Sequence, residues 1–318
     1  MRVALLDARQ GERDPNKSST VAYRNMLELK KNIDADLYVS ARQLISAPSN
    51  YDAIICGFGS TSTEREQSVN FLNRNKQACL FWMVGEYEQS TFAPLFYSKR
   101  RFHILKNFEH NLKNSKADNQ YFINLNALIA ELPSASLQRK YGGLYYGRWR
   151  KDRAIYFSRY LKQDSFLSTS PKNMKIFAGN GCAPIYAKTL SWDHKKETLR
   201  LFSSSLYIED VFTHTHYNCP ANRFYEALKC SVPILIQPES ISTFDKYGLK
   251  IPEWRVVNDN KDFISKSNEL KNDNAFMDFA LIEQNEWSKK ALFDKDEAIK
   301  NIKKCLSDGI SVNDGCYA

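Results

Sequence analysis

The stretch Asn218-Cys-Pro-Ala-Asn-Arg-Phe-Tyr-Glu-Ala-Leu-Lys-Cys-Ser-Val-Pro-Ile-Leu-Ile-Gln237 reads as a loop, a short helix, a tight turn and a buried strand. Pro220 suits a first helical position, because it has no N–H to lose there. Arg223 and Glu226 are three apart, so they share one face near the helix start. After Cys230-Ser231, the run Val232-Pro-Ile-Leu-Ile236 has the continuous apolar character of a parallel strand buried on both faces. A helix N-terminus with one arginine and one glutamate suits a nucleotide sugar. The dipole and Arg223 attract a diphosphate, and Glu226 can accept ribose hydroxyl hydrogen bonds. The plainer reading is an amphipathic helix with a surface ion pair.

Outward from this element, strands and helices alternate. Arg2–Leu6, Ala35–Val39, Tyr51–Cys56 and Ala78–Val84 read as strands, with helices over 18–31 and 64–73 and a later strand at Asn119–Asn124. The pattern restarts at Gly142–Gly147 after the linker-like Pro133-Ser-Ala-Ser136, with strands at Met174–Ala178 and Ser205–Glu209. Residues 261–306 are mostly helical and charged. This predicts an α/β protein of two Rossmann-like domains facing a cleft, with ligands at the carboxyl ends of the strands. The expected boundaries are 1–138, 139–290 and a last helical segment, 291–318, that packs back on the first domain. No internal repeat is evident.

At 318 residues the chain is long enough for two cores. Its 43% hydrophobic and 25% charged residues are the composition of a globular protein. The excess of Lys+Arg 45 over Asp+Glu 36, a net +9, favours a polyanionic partner. No stretch approaches the roughly 18 apolar residues that cross a bilayer, and the opening Met1–Asp7 run is too short for a signal peptide. Seven scattered cysteines without a C-x-x-C fit reduced thiols in a cytoplasm.

Three further segments could carry chemistry. Tyr145-Tyr-Gly147-Arg-Trp-Arg150-Lys-Asp-Arg153 sits at a strand-to-helix junction, where Gly147 lets the backbone turn closely. Arg148, Arg150 and Arg153 offer forked donors to phosphate oxygens; so much positive charge at a helix start calls for an anion. Phe81-Trp-Met-Val-Gly85-Glu86 puts a carboxylate just past a strand end, where it could deprotonate an acceptor hydroxyl; a capping or surface acid is the alternative. Lys99-Arg100-Arg101 is assigned to a loop beside that acid, able to touch a phosphate backbone or simply to be solvated. Asp34-Ala-Asp36 matches a D-x-D metal motif but precedes its strand instead of following one, and is taken as chance. His214-Thr-His216 with Cys219 lacks a fourth ligand, so no dedicated metal site is expected. There is no G-x-G-x-x-G, Walker A or G-x-S-x-G motif.

Taken in order, these segments resemble the DNA β-glucosyltransferases of T-even bacteriophage, which are GT-B glycosyltransferases that glucosylate hydroxymethylcytosine. The resemblance is low in identity but spans nearly the whole chain. It runs through the polar loop Arg9 to Ser19, Tyr51–Ile55, Met83-Val-Gly-Glu86, the phosphate loop at Tyr146–Arg153, the Phe177-Ala-Gly-Asn180 turn, Asn222-Arg-Phe-Tyr-Glu226 and Val256 to Leu270. It implies a GT-B fold, a UDP-sugar donor, most simply UDP-glucose, and double-stranded DNA with modified pyrimidines as acceptor. It also implies a monomer in the cytoplasm of an infected bacterial host, and a divalent metal only as a stimulant. Glu86 falls on the family's catalytic aspartate. Gly147, Arg148, Arg150, Arg153, Gly179, Asn180, Arg223 and Glu226 fall on the nucleotide-sugar site, and the backbone near Leu190 on the uracil. Lys99, Arg100 and Arg101 would serve DNA. The chain departs from the family in having Glu for Asp, in Gly147-Arg148 replacing a Gly-Ser, and in an Arg150–Arg153 spacing one residue shorter. Two other readings stay open: a GT-B enzyme with a polysaccharide or lipopolysaccharide acceptor, and a non-catalytic DNA-binding relic of the fold.

Overall fold

The computed structural model describes residues 1–7, 21–57, 62–84, 98–107, 117–128, 141–147, 159, 175–178, 205–210, 222–246, 249–291 and 295–314. The chain forms two compact units: Met1–Ala130 with Phe293–Ala318, and Glu131–Leu292.

The first unit holds six parallel strands: β1 (Val3–Leu6), β2 (Ala35–Tyr38), β3 (Ala53–Cys56), β4 (Cys79–Val84), β5 (Phe102–Lys106) and β6 (Ala117–Phe122). Their order is β2-β1-β3-β4-β5-β6. Sequence and position agree. The interior strands β1, β3, β4 and β5 are buried at every residue, whereas β2 and β6, at the edges, carry Asp36, Asp118, Asn119 and Gln120. Helices α1 (Val21–Asn32), α2 (Ala41–Ile45) and α3 (Ser62–Arg74) connect the first strands. The short α2 is held by a capping box: Ser40 Oγ accepts from the Gln43 amide, and Gln43 Oε1 accepts from the Ser40 amide.

The last helix, Lys295–Asp314, covers one face of this sheet. Its Ala298, Ile299, Ile302, Cys305 and Leu306 join Val3, Leu5, Ile55, Phe81 and Leu105 in one core. Gly309 makes the approach close: a Cβ there would lie 2.7 Å from Phe81 Cζ and 3.2 Å from Cys79 Sγ. His103 lies on the same face, fully buried, and burial holds its imidazole below the ordinary range.

The second unit holds four parallel strands, β7 (Tyr141–Gly147), β8 (Lys175–Ala178), β9 (Ser205–Asp210) and β10 (Ile234–Ile236), in the order β10-β9-β7-β8. Among the described strands this repeats the first sheet: each reads second-first-third-fourth in chain order. Helix α4 (Asn222–Lys229) joins β9 to β10, and α5 (Ile241–Lys246), α6 (Asn260–Asn272) and α7 (Asn274–Ala291) follow. Phe224 of α4 packs edge-on to Phe244 of α5 and Trp287 of α7, at centroid distances of 4.8 and 5.8 Å. Arg255 is fully buried between the rings of Trp254 and Trp287, 4.2 Å from each, and donates from Nη1 to the Ile234 carbonyl and Gln284 Oε1. Burial pulls its guanidinium down to about 9, partly offset by Glu283, so it remains a cation at neutral pH.

Sequence and structure differ at several elements, among them α5 (Ile241–Lys246), which lies between the expected strand at 232–236 and the helical stretch expected from 261. Strand β5 was not anticipated, because His103 and Lys106 interrupt its apolar run although both are buried. Helix α2 was also missed, being only five residues long.

Candidate functional site

In each sheet the first strand of the unit has its second strand on one side and its third on the other. Such a reversal opens a crevice at the carboxyl ends of the first and third strands. In the second unit these strands are β7 and β9. Gly147 is the last residue of β7 and pairs in register with Ala178, the last residue of β8. On the other side, β9 ends at Asp210, and α4 begins on this carboxyl edge because it returns the chain to β10.

The carboxyl ends of β7 and β8, which the sequence-predicted phosphate loop and Gly179-Asn180 follow in the chain, and the start of the helix bearing Arg223 and Glu226 therefore share one edge. Arg223 is the second residue of α4 and Glu226 the fifth. The helix is anchored by Phe224, Tyr225, Ala227 and Leu228, all buried. Its end is set by a Schellman motif. The Ser231 amide donates to the Leu228 carbonyl and the Val232 amide to the Ala227 carbonyl, each at 3.0 Å, with Ser231 at φ 51° in the left-handed region. This is the tight turn expected from Cys230-Ser231, made without glycine. Arg148, Arg150, Arg153, Gly179, Asn180 and Leu190 lie outside the described residues, as do His214, His216 and Cys219.

The fold so described has counterparts. No protein-family model matches the chain, and no curated protein matches it by sequence. By structure it is similar to T4 phage β-glucosyltransferase, from work on substrate binding and a proposed catalytic mechanism. The TM-score is 0.69 at 16% identity, over 96% of this chain and 99% of that one. The fold is GT-B. A crystal structure of the DNA modifying enzyme β-glucosyltransferase, solved with and without uridine diphosphoglucose, matches with a TM-score of 0.67 and 13% identity over 96% and 100% of the two chains. An O-GlcNAc transferase mutant from Thermobaculum terrenum matches with a TM-score of 0.53 and 9% identity, over 100% of this chain and 69% of that one.

The first unit, taken by itself, has a carboxyl edge of the same kind. At the β1–β3 switch Asp7 follows β1, buried at 2% exposure, and the Gly57 amide donates to the Leu6 carbonyl. A Cβ on Gly57 would meet Asp7 Oδ1 at 3.2 Å, so this carboxylate is tightly walled. Strand β4 ends at Val84, and Glu86, two residues on, lies outside the described residues. Beside it β5 ends at Lys106, in register with Val84, and the Asn107 amide donates to the Val84 carbonyl at 3.1 Å.

The basic triplet has a different position from the expected one. β5 runs parallel to β4, so Lys99, Arg100 and Arg101, which precede it, sit at the amino edge of the sheet, away from the strand end that leads to Glu86. Arg100 donates to the carbonyls of Leu72, Asn75 and Ala78, bracing the end of α3 against the start of β4. Arg101 pairs with Asp118 on β6. Lys99 is exposed, at φ 60°. Arg100 is thus a structural brace at the amino edge of the sheet, an edge that sequence spacing alone does not distinguish from the carboxyl one.

Asp34-Ala-Asp36 also lies at an amino edge, since Ala35 pairs with Val3 at the start of β1. Asp36 Oδ2 accepts from the Tyr51 hydroxyl at 2.5 Å and from Arg2 at 3.3 Å, a structural use of the carboxylate. Among the described residues no group of three or more His, Cys, Asp or Glu is placed to hold a metal, and no helix is long and apolar enough to cross a membrane.

Proposed function

We propose that the chain is an inverting glycosyltransferase that moves a sugar from a UDP-sugar, UDP-glucose in the simplest case, to the hydroxyl of a hydroxymethylated pyrimidine in double-stranded DNA. The observation that carries this reading is the carboxyl edge of the second sheet. There the strand order puts the end of β7 at Gly147, the end of β8 and the start of α4 beside one switch point. A nucleotide diphosphate suits such an edge, because helix N-termini and forked guanidinium donors stabilise its charge.

In this reading Arg150, Arg153 and Arg223 hold the diphosphate and Glu226 the ribose. Gly147, Arg148, Gly179 and Asn180 shape the phosphate and sugar pocket, and the backbone at Leu190 meets the uracil. Glu86 removes the proton of the acceptor hydroxyl. The hydroxyl oxygen attacks the anomeric carbon as the bond to UDP breaks, and the arginines stabilise the charge left on UDP. Double-stranded DNA as acceptor is supported by the net charge of +9 and by the likeness to a DNA modifying enzyme. The donor is supported by the uridine diphosphoglucose of that same structure.

The test is incubation with a panel of UDP-sugars and duplex DNA containing hydroxymethylcytosine or hydroxymethyluracil, read by nucleoside mass spectrometry. Transfer from one UDP-sugar to one modified base is the expected result. UDP binding without transfer to any DNA, but with transfer to a polysaccharide, would replace the acceptor. Absence of UDP binding would remove the nucleotide site altogether.

A further inference from the structure

We propose that the seat of the last helix on the first sheet is an acid-labile latch, held while the His103 imidazole is neutral and loosened when the ring takes a proton. His103 is the second residue of β5 and is 2% exposed. It packs against Phe81 of β4 and Tyr121 of β6, with ring centroids at 5.1 and 6.0 Å. The last helix closes over it, since a Cβ on Gly309 would lie 3.2 Å from His103 Cδ2. Its Nδ1 is buried and has no hydrogen-bond partner among the described residues. A neutral imidazole tolerates such a seat. In an imidazolium both nitrogens must donate, and the charge loses its hydration. The two aromatic rings attract a cation too weakly to replace that water.

The neighbouring titratable groups do not rescue the cation. Burial pushes the Cys79 thiol of β4 up to about 12, the Cys305 thiol of the last helix up to about 11, and the Tyr121 hydroxyl of β6 upward as well, so all three stay neutral in mild acid. Asp308 and Lys304, on the last helix beside Cys305, bring opposite charges. Burial holds the imidazole below its ordinary 6.5; the charge of Asp118 on β6 acts the other way, that of Arg101 on β5 acts with burial, and these two are paired with each other. The folded value is depressed, so the stability tied to the neutral ring is fully present above the unfolded 6.5 and is lost as pH falls from there through the folded value. The chain reaches the last helix only after the whole second unit, and side-chain packing with the Glu28–Lys295 bridge holds it on the first. Glu28 lies below its ordinary 4.5, so that bridge persists at pH 5.5.

The experiment is hydrogen exchange of the full chain at pH 7.5 and pH 5.5, read by mass spectrometry and corrected for the intrinsic rate at each pH. Wild type is compared with His103→Gln and His103→Leu, which cannot take the proton. In wild type the protection of the last helix should fall about tenfold at pH 5.5, since one pH unit below 6.5 is a factor of about ten. In both variants it should stay the same at the two pH values. Strands β1 and β3 serve as the reference and should keep their protection throughout. Unchanged protection of the helix in wild type overturns the proposal, and so does an equal fall in the variants. A fall shared by β1 and β3 means that the whole unit opens, and overturns the latch. If neither variant folds, an NMR titration of the wild-type ring decides, its signal identified by contacts with the Phe81 and Tyr121 rings. A midpoint below 6.5 that coincides with the loss of helix protection supports the latch, and a midpoint at or above 6.5 overturns it.

Discussion

Glu28 and Lys295 lie 267 positions apart in the chain and form a salt bridge of 2.5 Å between α1 and the start of the last helix. Glu28 is 4% exposed and is shared with Lys31, one turn further along α1. Burial pushes its carboxyl up, but the hydrogen bonds and charges of Lys295 and Lys31 outweigh that and hold it below its ordinary 4.5. Glu28→Gln should cost the first unit about 1.5–3 kcal/mol, the range for a charged hydrogen bond. Lys295→Met should cost about 1 kcal/mol, because Lys295 is over one-third exposed and Lys31 remains. The folded pKa is depressed, so this stability is fully present above the unfolded value and is lost as pH falls through the folded one. Urea titrations of wild type and Glu28→Gln should differ at pH 7 and converge well below pH 4.5.

Gly309 is expected to be the least replaceable residue of the last helix. Alanine would place a methyl 2.7 Å from Phe81 Cζ, with Cys79 Sγ and His103 Cδ2 at 3.2 Å. Helix propensity favours alanine by about 1 kcal/mol, but overpacking costs about 1–3 kcal/mol in a filled core. Gly309→Ala should therefore lower the thermal midpoint, and Phe81→Leu in the same chain should regain part of it. A stabilised Gly309→Ala would mean that the helix sits further from the sheet.

Arg100 and Lys99 should separate cleanly in DNA binding. Arg100→Met removes three hydrogen bonds to carbonyls of α3 and its exit, and should cost about 2–3 kcal/mol of stability. Its DNA affinity should keep the wild-type salt slope, since each lost phosphate contact would reduce that slope by about 0.9. A shallower slope in Arg100→Met would return this residue to the DNA interface.

Much of the fold was legible because burial and sequence agree at its centre. Val3–Leu6, Ala53–Cys56 and Cys79–Val84 are apolar runs, and each is an interior strand. Phe102–Lys106 was not legible, since its histidine and lysine are buried by their place between β4 and β6 and not by their own polarity. The pieces of the candidate site could be read singly: Gly147 does end a strand, and Arg223 and Glu226 do open a helix. Their meeting on one edge could not be read, because it follows from the order β10-β9-β7-β8, a long-range pairing with no local signature. The same limit applies to Lys99, Arg100 and Arg101. They precede β5, which runs parallel to β4, so they lie at the amino edge of the sheet, a placement that has no local signature.

Ser231 tests the helix end that supports the nucleotide edge. A non-glycine residue in the left-handed region costs about 1–2 kcal/mol, and Ser231 occupies that region at φ 51°. Ser231→Gly relieves the strain while giving up a 3.4 Å hydroxyl contact with Asn285 and some chain entropy. The net gain should be about 0.5 kcal/mol, and Ser231→Val should lose more than 1 kcal/mol, both read from urea midpoints.

Arg223 is the sharpest probe of the proposed nucleotide site. It is the second residue of α4, whose position is fixed by Phe224, Tyr225, Ala227 and Leu228 in the core and by the Schellman turn at Ser231. Replacing Arg223 touches none of these anchors, so the helix should stay in place and stability should change by less than about 0.5 kcal/mol. Removing a charge-assisted contact to a diphosphate should cost about 1.5–3 kcal/mol of binding, a loss of roughly 10- to 150-fold in UDP affinity by calorimetry. Arg223→Lys should recover only part of it, because a lysine is a point charge without the forked donor. Uridine, which lacks the diphosphate, should bind wild type and Arg223→Ala alike. Equal UDP affinity in wild type and Arg223→Ala would move the diphosphate away from α4, leaving the Gly147 turn as the element to be tested next.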